Sequence, residues 1–284
     1  MKAARAIDGI IPSRQTLEGA GVRLKRAFGP YEVPLLDPFL LLDDFHSDNP
    51  ADYMAGFPWH PHRGIETVTY MIRGEVEHGD SIGNRGTISS GDVQWMTAGS
   101  GIIHQEMPKR YDGMMQGFQL WVNLPASSKM MRPRYRGITR EQISSITSKR
   151  GVAVRVIAGE VGGVEGPVKD LVVDAEYLDV EMQPDREFQH PVRKGNKAFA
   201  YVFEGGGSFE PKSHHEIGAE HLIIFQDGDH IEVKTSKSAV RFLLVSGKPI
   251  GEPVAWRGPI VMNSERELDE AFEEYWSGNF IKSV

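Results

Sequence analysis

The chain has 284 residues, no cysteine, and 32 Lys and Arg against 39 Asp and Glu, a formal net charge of -7. That length allows one large or two medium domains with a sizeable core. The missing thiols exclude disulfides, Cys-ligated zinc, iron–sulfur clusters and thiolate chemistry, and no basic run supplies the positive footprint that direct nucleic-acid binding needs.

No window approaches the ~20 apolar residues of a membrane span. The opening residues, with Lys2, Arg5 and Asp8 among them, lack the apolar stretch of a signal peptide. A cytoplasmic location is therefore expected. The 31 Gly and 17 Pro favour many short strands joined by tight turns over long helices.

In chain order, residues 22–28 alternate in part, as a half-buried strand should, and 38–46 form an apolar run ending in acids. Residues 66–72 are rich in Thr, Val and Tyr and stop at Arg73-Gly74. Residues 87–88 lead into the turn at Ser90, Gly91 and Asp92; 93–96 follow, then a Gly-rich turn at 98–101 and strands over 102–107 and 117–124. This spacing suggests a barrel or sandwich. Residues 125–150 carry charges and two prolines, and are expected to form a linker with a short helix near 139–142. Strand patterns resume at 152 and recur over 177–182, 198–203, 222–225, 231–234 and 240–245. The tail changes period. Ser264 to Glu267 is a capping-box signature, and Leu268, Ala271, Phe272, Tyr275 and Trp276 line one face of a helix that Gly278 can stop. That face is expected to pack on a barrel.

A faint duplication runs through the chain. Tyr70 to Gly74 resembles Tyr201 to Gly205, and Ser90 to Val93 resembles Asp227 to His230. His60-Pro61-His62-Arg63 is matched by His190-Pro191-Val192-Arg193. His104 and Glu106 stand thirteen and fifteen residues after Gly91; the same offsets after Gly228 reach Arg241 and Leu243. On this reading the halves share a fold and the second has lost the first's polar set.

That set carries the chemistry. Side chains two apart on a strand share a face, so His60 with His62, and His104 with Glu106, form two pairs. On neighbouring strands they could bring three imidazoles and a carboxylate to one ion at ~2.0–2.2 Å, leaving positions open for a substrate. The spacing equally allows two unrelated surface pairs. His46 beside Asp43 and Asp44 reads as a turn anchor. His78 with Asp80 reads as exposed, and His214-His215 as a loop. Trp59, Met96, Met107, Phe118 and Trp121 are expected in the core or along an apolar pocket.

Residues 57–68, around Trp59-His60-Pro61-His62-Arg63-Gly64, resemble the first cupin motif as pirins carry it. Residues 91–106, from Gly91-Asp92 to His104-Gln105-Glu106, resemble the second. Leu41-Leu42-Asp43-Asp44-Phe45 and 258–263 also resemble pirin segments. The resemblance is weakest over 127–169 and around His214. It implies an all-β chain of two tandem cupin, jelly-roll-like barrels with a C-terminal helix. The expected domains are a metal-bearing barrel over 1–135 and a metal-free barrel with the helix over 136–284. The implied ligands are His60, His62, His104 and Glu106. Glu66, four after His62, competes for the carboxylate role as in other cupins, but the pirin pattern takes the acid from the second motif.

The resemblance further implies one divalent metal. Iron is favoured by the family alone, since three His and a carboxylate also suit Mn, Ni, Co, Cu or Zn. The expected activity is a quercetin 2,3-dioxygenase-type opening of a flavonol ring with O2, with Glu106 as the proton acceptor. The alternatives are an iron- and redox-gated regulatory protein that binds a protein partner, and a cupin whose metal is structural.

Overall fold

The computed structural model describes residues 3–32, 35–148, 151–210 and 215–282. The chain forms two compact units, each discontinuous in sequence. One contains 1–13 and 141–249; the other contains 14–140 and 250–284. The expected boundary at 135/136 therefore needs correction at both ends. The first strand joins the second barrel, and the last 35 residues, helix included, join the first.

In chain order the first twelve strands are β1 (Ile7–Pro12), β2 (Arg14–Glu18), β3 (Val22–Phe28), β4 (Phe39–Ser47), β5 (Phe57–His62), β6 (Ile65–Arg73), β7 (Val76–Asp80), β8 (Arg85–Ile88), β9 (Val93–Thr97), β10 (Ile102–Pro108), β11 (Met115–Asn123) and β12 (Arg134–Ile138). In the unit of 14–140 and 250–284, a seven-stranded antiparallel sheet runs β12-β9-β6-β11-β4-β3-β2. A four-stranded sheet runs β5-β10-β7-β8. Their inner faces meet, since Thr69 on β6 donates to Glu106 on β10.

In the other unit, β1 pairs with His221–Phe225, followed across the sheet by Lys197–Gly207, Val240–Gly247, Ala175–Met182, Val152–Ala158 and Ser144–Thr147. The order from His221–Phe225 onward repeats β9-β6-β11-β4-β3-β2, so the duplication is a duplication of fold. Glu187–Pro191 pairs with His230–Lys234 as β5 pairs with β10.

The register corrects the sequence alignment of the halves. His104 lies opposite His60, and Ile231 lies opposite His190. The second barrel's counterparts of His104 and Glu106 are therefore Ile231 and Val233. Arg241 and Leu243 sit instead on Val240–Gly247, the counterpart of β11. The offset fails because Ser90-Gly91-Asp92 precedes β9, whereas Asp227-Gly228-Asp229 follows the equivalent strand and opens directly into the next. Val192, Ile231 and Val233 belong to one buried apolar cluster with Phe209 and Phe242, so hydrocarbon stands where the first barrel carries His62, His104 and Glu106, and only the counterpart of His60, His190, is kept, 2.8 Å from Glu176.

The expected helix at 139–142 is a turn, and strands β12 and Ser144–Thr147 flank it inside the supposed linker. Residues 139–142 are all exposed. So short a segment offers no apolar face and too few bonds to offset helix nucleation.

The C-terminal segment forms a hairpin, Ala255–Arg257 with Ile260–Met262, and then helix α1, Glu265–Trp276. Ser264 caps it by accepting from the Glu267 amide, while Glu267 Oε2 accepts from Asn263 N at 3.2 Å. Leu268 and Ala271 pack with Ile260, Met262 and Phe280. Trp276 is 76% exposed and leaves the expected stripe. It is the last helical residue; Gly278, at φ +77°, turns the chain so that Phe280 packs on Tyr275 at 5.5 Å in its place.

Two buried cations tie this segment to the N-terminal barrel. Arg63 donates to Ser100 O at 2.7 Å and Phe280 O at 2.9 Å and pairs with Glu274 at 2.7 Å. Lys129 Nζ donates to Gly64 O, Asn123 Oδ1 and Val261 O at 3.0, 2.7 and 3.0 Å. Gly64, at φ +77°, permits the approach: a Cβ there would lie 1.9 Å from Val261 O.

Candidate metal centre

β5 and β10 are antiparallel neighbours, with His60 opposite His104 and His62 opposite Ile102. Alternation then aims His60, His62 and His104 at one point. Their ligand nitrogens all lie within 4.8 Å of one another, and the ring centroids are 4.4 Å apart for His60 and His104 and 5.1 Å for His62 and His104. The three imidazoles thus meet inside one barrel.

The outer nitrogens of these rings have partners. His60 Nδ1 lies 2.8 Å from Pro58 O, and His62 Nδ1 lies 3.1 Å from Pro259 O in the C-terminal hairpin. A carbonyl only accepts, so each Nδ1 carries the proton and each Nε2 presents its lone pair. Those two Nε2 atoms are only 3.1 Å apart. Two facing lone pairs at that distance repel unless a cation lies beside them. His104 Nε2 is buried with no hydrogen-bond partner among the described residues, and its Nδ1 is 3.4 Å from the Tyr135 hydroxyl. Burial, followed by the neighbouring imidazoles, holds His62 and His104 well below the usual histidine range. Both are therefore kept in the neutral, ligating form. An orphaned buried nitrogen, two histidines held in the ligating form and converging rings fit a divalent metal.

Glu106 shares the inward face of β10 with His104 but is not among the three converging groups. Its Oε1 accepts from Thr69 Oγ1 at 3.0 Å and its Oε2 from Gln119 Nε2 at 2.9 Å. Trp121 Nε1 donates to Gln119 Oε1 at 3.1 Å, which fixes the amide so that its NH2 faces Glu106. The carboxylate is thus buried against neutral donors, one step along the strand from the imidazoles.

Glu66 lies elsewhere. Thr69 and Gln119 are opposite each other on β6 and β11 and face Glu106, and Glu66, three residues before Thr69, takes the other face. There it accepts from Thr97 Oγ1 at 2.5 Å and pairs with Arg136 at 3.1 Å. The turn at Arg63-Gly64 breaks the alternation that seemed to carry it inward from His62.

Several residues take roles that sequence reasoning missed. His78 and Asp80 are not exposed. They lie on β7 opposite Glu106 and His104, and His78 stacks on Tyr135 at 5.4 Å. Tyr135, placed in the supposed linker, supports His104. His46 contacts Asp44 at 2.9 Å within β4. His214 lies outside the described residues. Of the flanking apolar residues, Met96 and Phe118 are core, Trp59 is half exposed, and Trp121 stands edge-on to His62 at 5.1 Å.

Tyr135→Phe removes the acceptor for His104 Nδ1–H. It is expected to weaken Zn(II) or Co(II) binding by roughly 10-fold, the lower end for loss of an outer partner, as read by chelator competition. Unchanged affinity would show that the phenol does not orient the ring.

His60 and His62 open onto a cleft of about 520 Å³, walled by Leu41, Phe57, Trp121 and Trp256. The indoles of Trp121 and Trp256 are 5.8 Å apart. Such a volume takes a small organic molecule.

A duplicated jelly-roll barrel with inward His-x-His and His-x-Glu pairs in one copy defines a double cupin. Comparison with known proteins agrees. The pirin profile matches residues 21–122, and that of the pirin C-terminal cupin domain matches 177–281. A pirin-like protein of Caulobacter vibrioides is 43% identical over 97% of this chain and 99% of its own length. Pirin-1 of Arabidopsis thaliana is 42% identical over 91% and 88%. The crystal structure of quercetin 2,3-dioxygenase from Acinetobacter baumannii matches with a TM-score of 0.91 at 32% identity, covering 98% and 99%. The chain belongs to the pirin family.

Proposed function

We propose that this pirin is a metal-dependent dioxygenase of the quercetin 2,3-dioxygenase type. The observation that carries the proposal is the convergence of three imidazoles at the edge of an aromatic-walled cleft. The likeness to the Acinetobacter baumannii protein, which bears that activity in its name, supports it.

His60, His62 and His104 hold the ion, with Glu106 as the fourth ligand; iron is the preferred metal. A bound divalent ion supplies Lewis acidity that lowers the pKa of a substrate hydroxyl. The chain does the rest. Trp121 and Trp256 hold a flat, hydroxylated ring and keep water from it. Pro58 O and Pro259 O keep the Nε2 atoms of His60 and His62 turned inward. Glu106 takes the substrate's hydroxyl proton on Oε2, the oxygen to which Gln119 now donates. O2 adds across C2 and C4 of the electron-rich enolate, the two C–C bonds to C3 break, and C3 leaves as carbon monoxide, so both oxygen atoms enter the opened product and no external reductant is needed.

Protein loaded anaerobically with Fe(II) is expected to take up O2 and bleach quercetin. Absence of uptake with Fe, Mn, Ni, Co and Cu alike would reject the reading. It would favour the alternative of a metal-gated regulatory protein, tested by partner capture that depends on iron oxidation state.

A further inference from the structure

The cleft has a second polar cluster on its wall. Glu18, Arg26 and Asp43, on β2, β3 and β4, line the same cleft as His60 and His62. Arg26 and Asp43 are cross-strand partners. Arg26 Nε and Nη2 each reach an Asp43 oxygen at 2.8 Å, and Nη1 reaches Glu18 at 2.9 Å. One guanidinium between two carboxylates leaves one negative charge in excess. Asp43 is almost fully buried, while Glu18 is 39% exposed and spends one recorded contact on Arg26. A carboxylate has about four lone-pair sites, so this wall retains acceptor capacity after Arg26 is satisfied. Its one donor group, the Arg26 guanidinium, commits three of its five N–H bonds to these two carboxylates.

Such a wall repels a carboxylate and accepts a hydrogen bond from a hydroxyl. Apart from these three residues, the two imidazoles and Gln119, which stands beside Asp43, the cleft is lined by apolar and aromatic side chains and glycine. We propose that the Glu18–Arg26–Asp43 cluster is a specificity subsite that accepts a hydrogen bond from a phenolic hydroxyl of the substrate other than the one that faces the imidazoles. It thereby selects polyhydroxylated flavonols over bare ones and against anionic aromatics. Arg26 is a positioning residue that holds both carboxylates toward the cleft. This inference rests on the dioxygenase reading for its substrate class, but binding alone tests it.

The Zn(II)-loaded protein, which is redox-inert, is titrated with quercetin and with galangin, a flavonol lacking hydroxyls on the pendant ring; tryptophan quenching reports binding. Wild type is expected to prefer quercetin by roughly tenfold, the worth of one hydrogen bond to a charged group. Glu18→Gln and Asp43→Asn are expected to weaken quercetin binding and leave galangin unchanged, bringing the ratio toward one. Should Asp43→Asn not fold, the half-exposed Glu18→Gln still decides. A cluster that only clamps three strands would lower thermal stability and leave the ratio alone, and that result overturns the proposal. So does a wild type that binds both flavonols equally. Discriminating binding without turnover keeps the subsite and rejects the dioxygenase; turnover without discrimination does the reverse. Failure to bind either flavonol rejects both.

Discussion

His62→Ala is expected to leave the protein folded and unable to retain its metal. Of the three imidazoles, His62 is the one held from the far end of the chain, through Pro259 O at 3.1 Å. Its Nε2 faces that of His60 at 3.1 Å, so the substitution removes a ligand and also a repulsion present only when no cation is bound. The two effects separate cleanly. The metal-free variant should match or slightly exceed the thermal stability of metal-free wild type. The rise in Tm that metal confers on wild type, a consequence of binding the folded state alone, should vanish. The affinity loss should exceed the roughly 10–100-fold that follows from losing an outer partner. Elemental analysis after dialysis, with melting curves at stepped Zn(II), reads both. One tightly held equivalent of metal in the variant would place the site elsewhere.

Lys129→Met should cost more stability than any other single change at the junction of the barrel and the C-terminal segment. The ammonium is buried and gives three hydrogen bonds to Gly64 O, Asn123 Oδ1 and Val261 O. A methionine fills similar space and removes the donor from Asn123 Oδ1 and Val261 O, while Gly64 O keeps only a 3.4 Å bond from the Leu124 amide. At ~1–3 kcal/mol for each unsatisfied buried group, the loss is on the order of 3 kcal/mol or more. Denaturant unfolding of the metal-free protein measures it. The lysine also carries a pH signature. Burial pushes its pKa down to about 8 from 10.5. Between those values the unfolded chain keeps a proton that the folded chain has released, so stability rises with pH. Below about 8 both states are charged and the contribution is lost. The wild-type minus Lys129→Met difference should therefore be flat below pH 8 and climb toward 10.5. The climb is at most about 3 kcal/mol at ~1.36 kcal/mol per pKa unit. A difference independent of pH would mean that the three carbonyl contacts hold the ammonium fully charged throughout.

What could be read in advance follows from range along the chain. Alternation within a strand is a local rule, and it placed His60 with His62 and His104 with Glu106 correctly on shared inward faces. The strand-rich pattern and the capped C-terminal helix were local in the same way. Register across strands is not local. Nothing near Glu66 announces that the Arg63-Gly64 turn resets the alternation and sends it to Arg136. Nothing near Asp43 announces that it stands beside Gln119, which in turn stands beside Thr69. Tyr135 and His78 were missed because each acts through a ring from another strand. The second half was misaligned for a related reason. Short Gly-Asp turns recur in β proteins, and only pairing partners reveal which turns correspond. The division of the chain was misplaced because sequence order gives no hint that acceptors for Arg63 and Lys129 wait near the C-terminus.

That last arrangement bears on how the molecule is made. His62 and Pro259 are separated by 197 positions. During synthesis, the barrel's strands through β12 emerge, and then the whole second barrel, before the carbonyl that steadies His62 leaves the ribosome. Until then Arg63 and Lys129 also lack acceptors that they will later bury. A nascent chain therefore carries His62 past more than a hundred codons before its partner carbonyl is made, and the orientation of that ring is completed only once the hairpin before the helix has emerged.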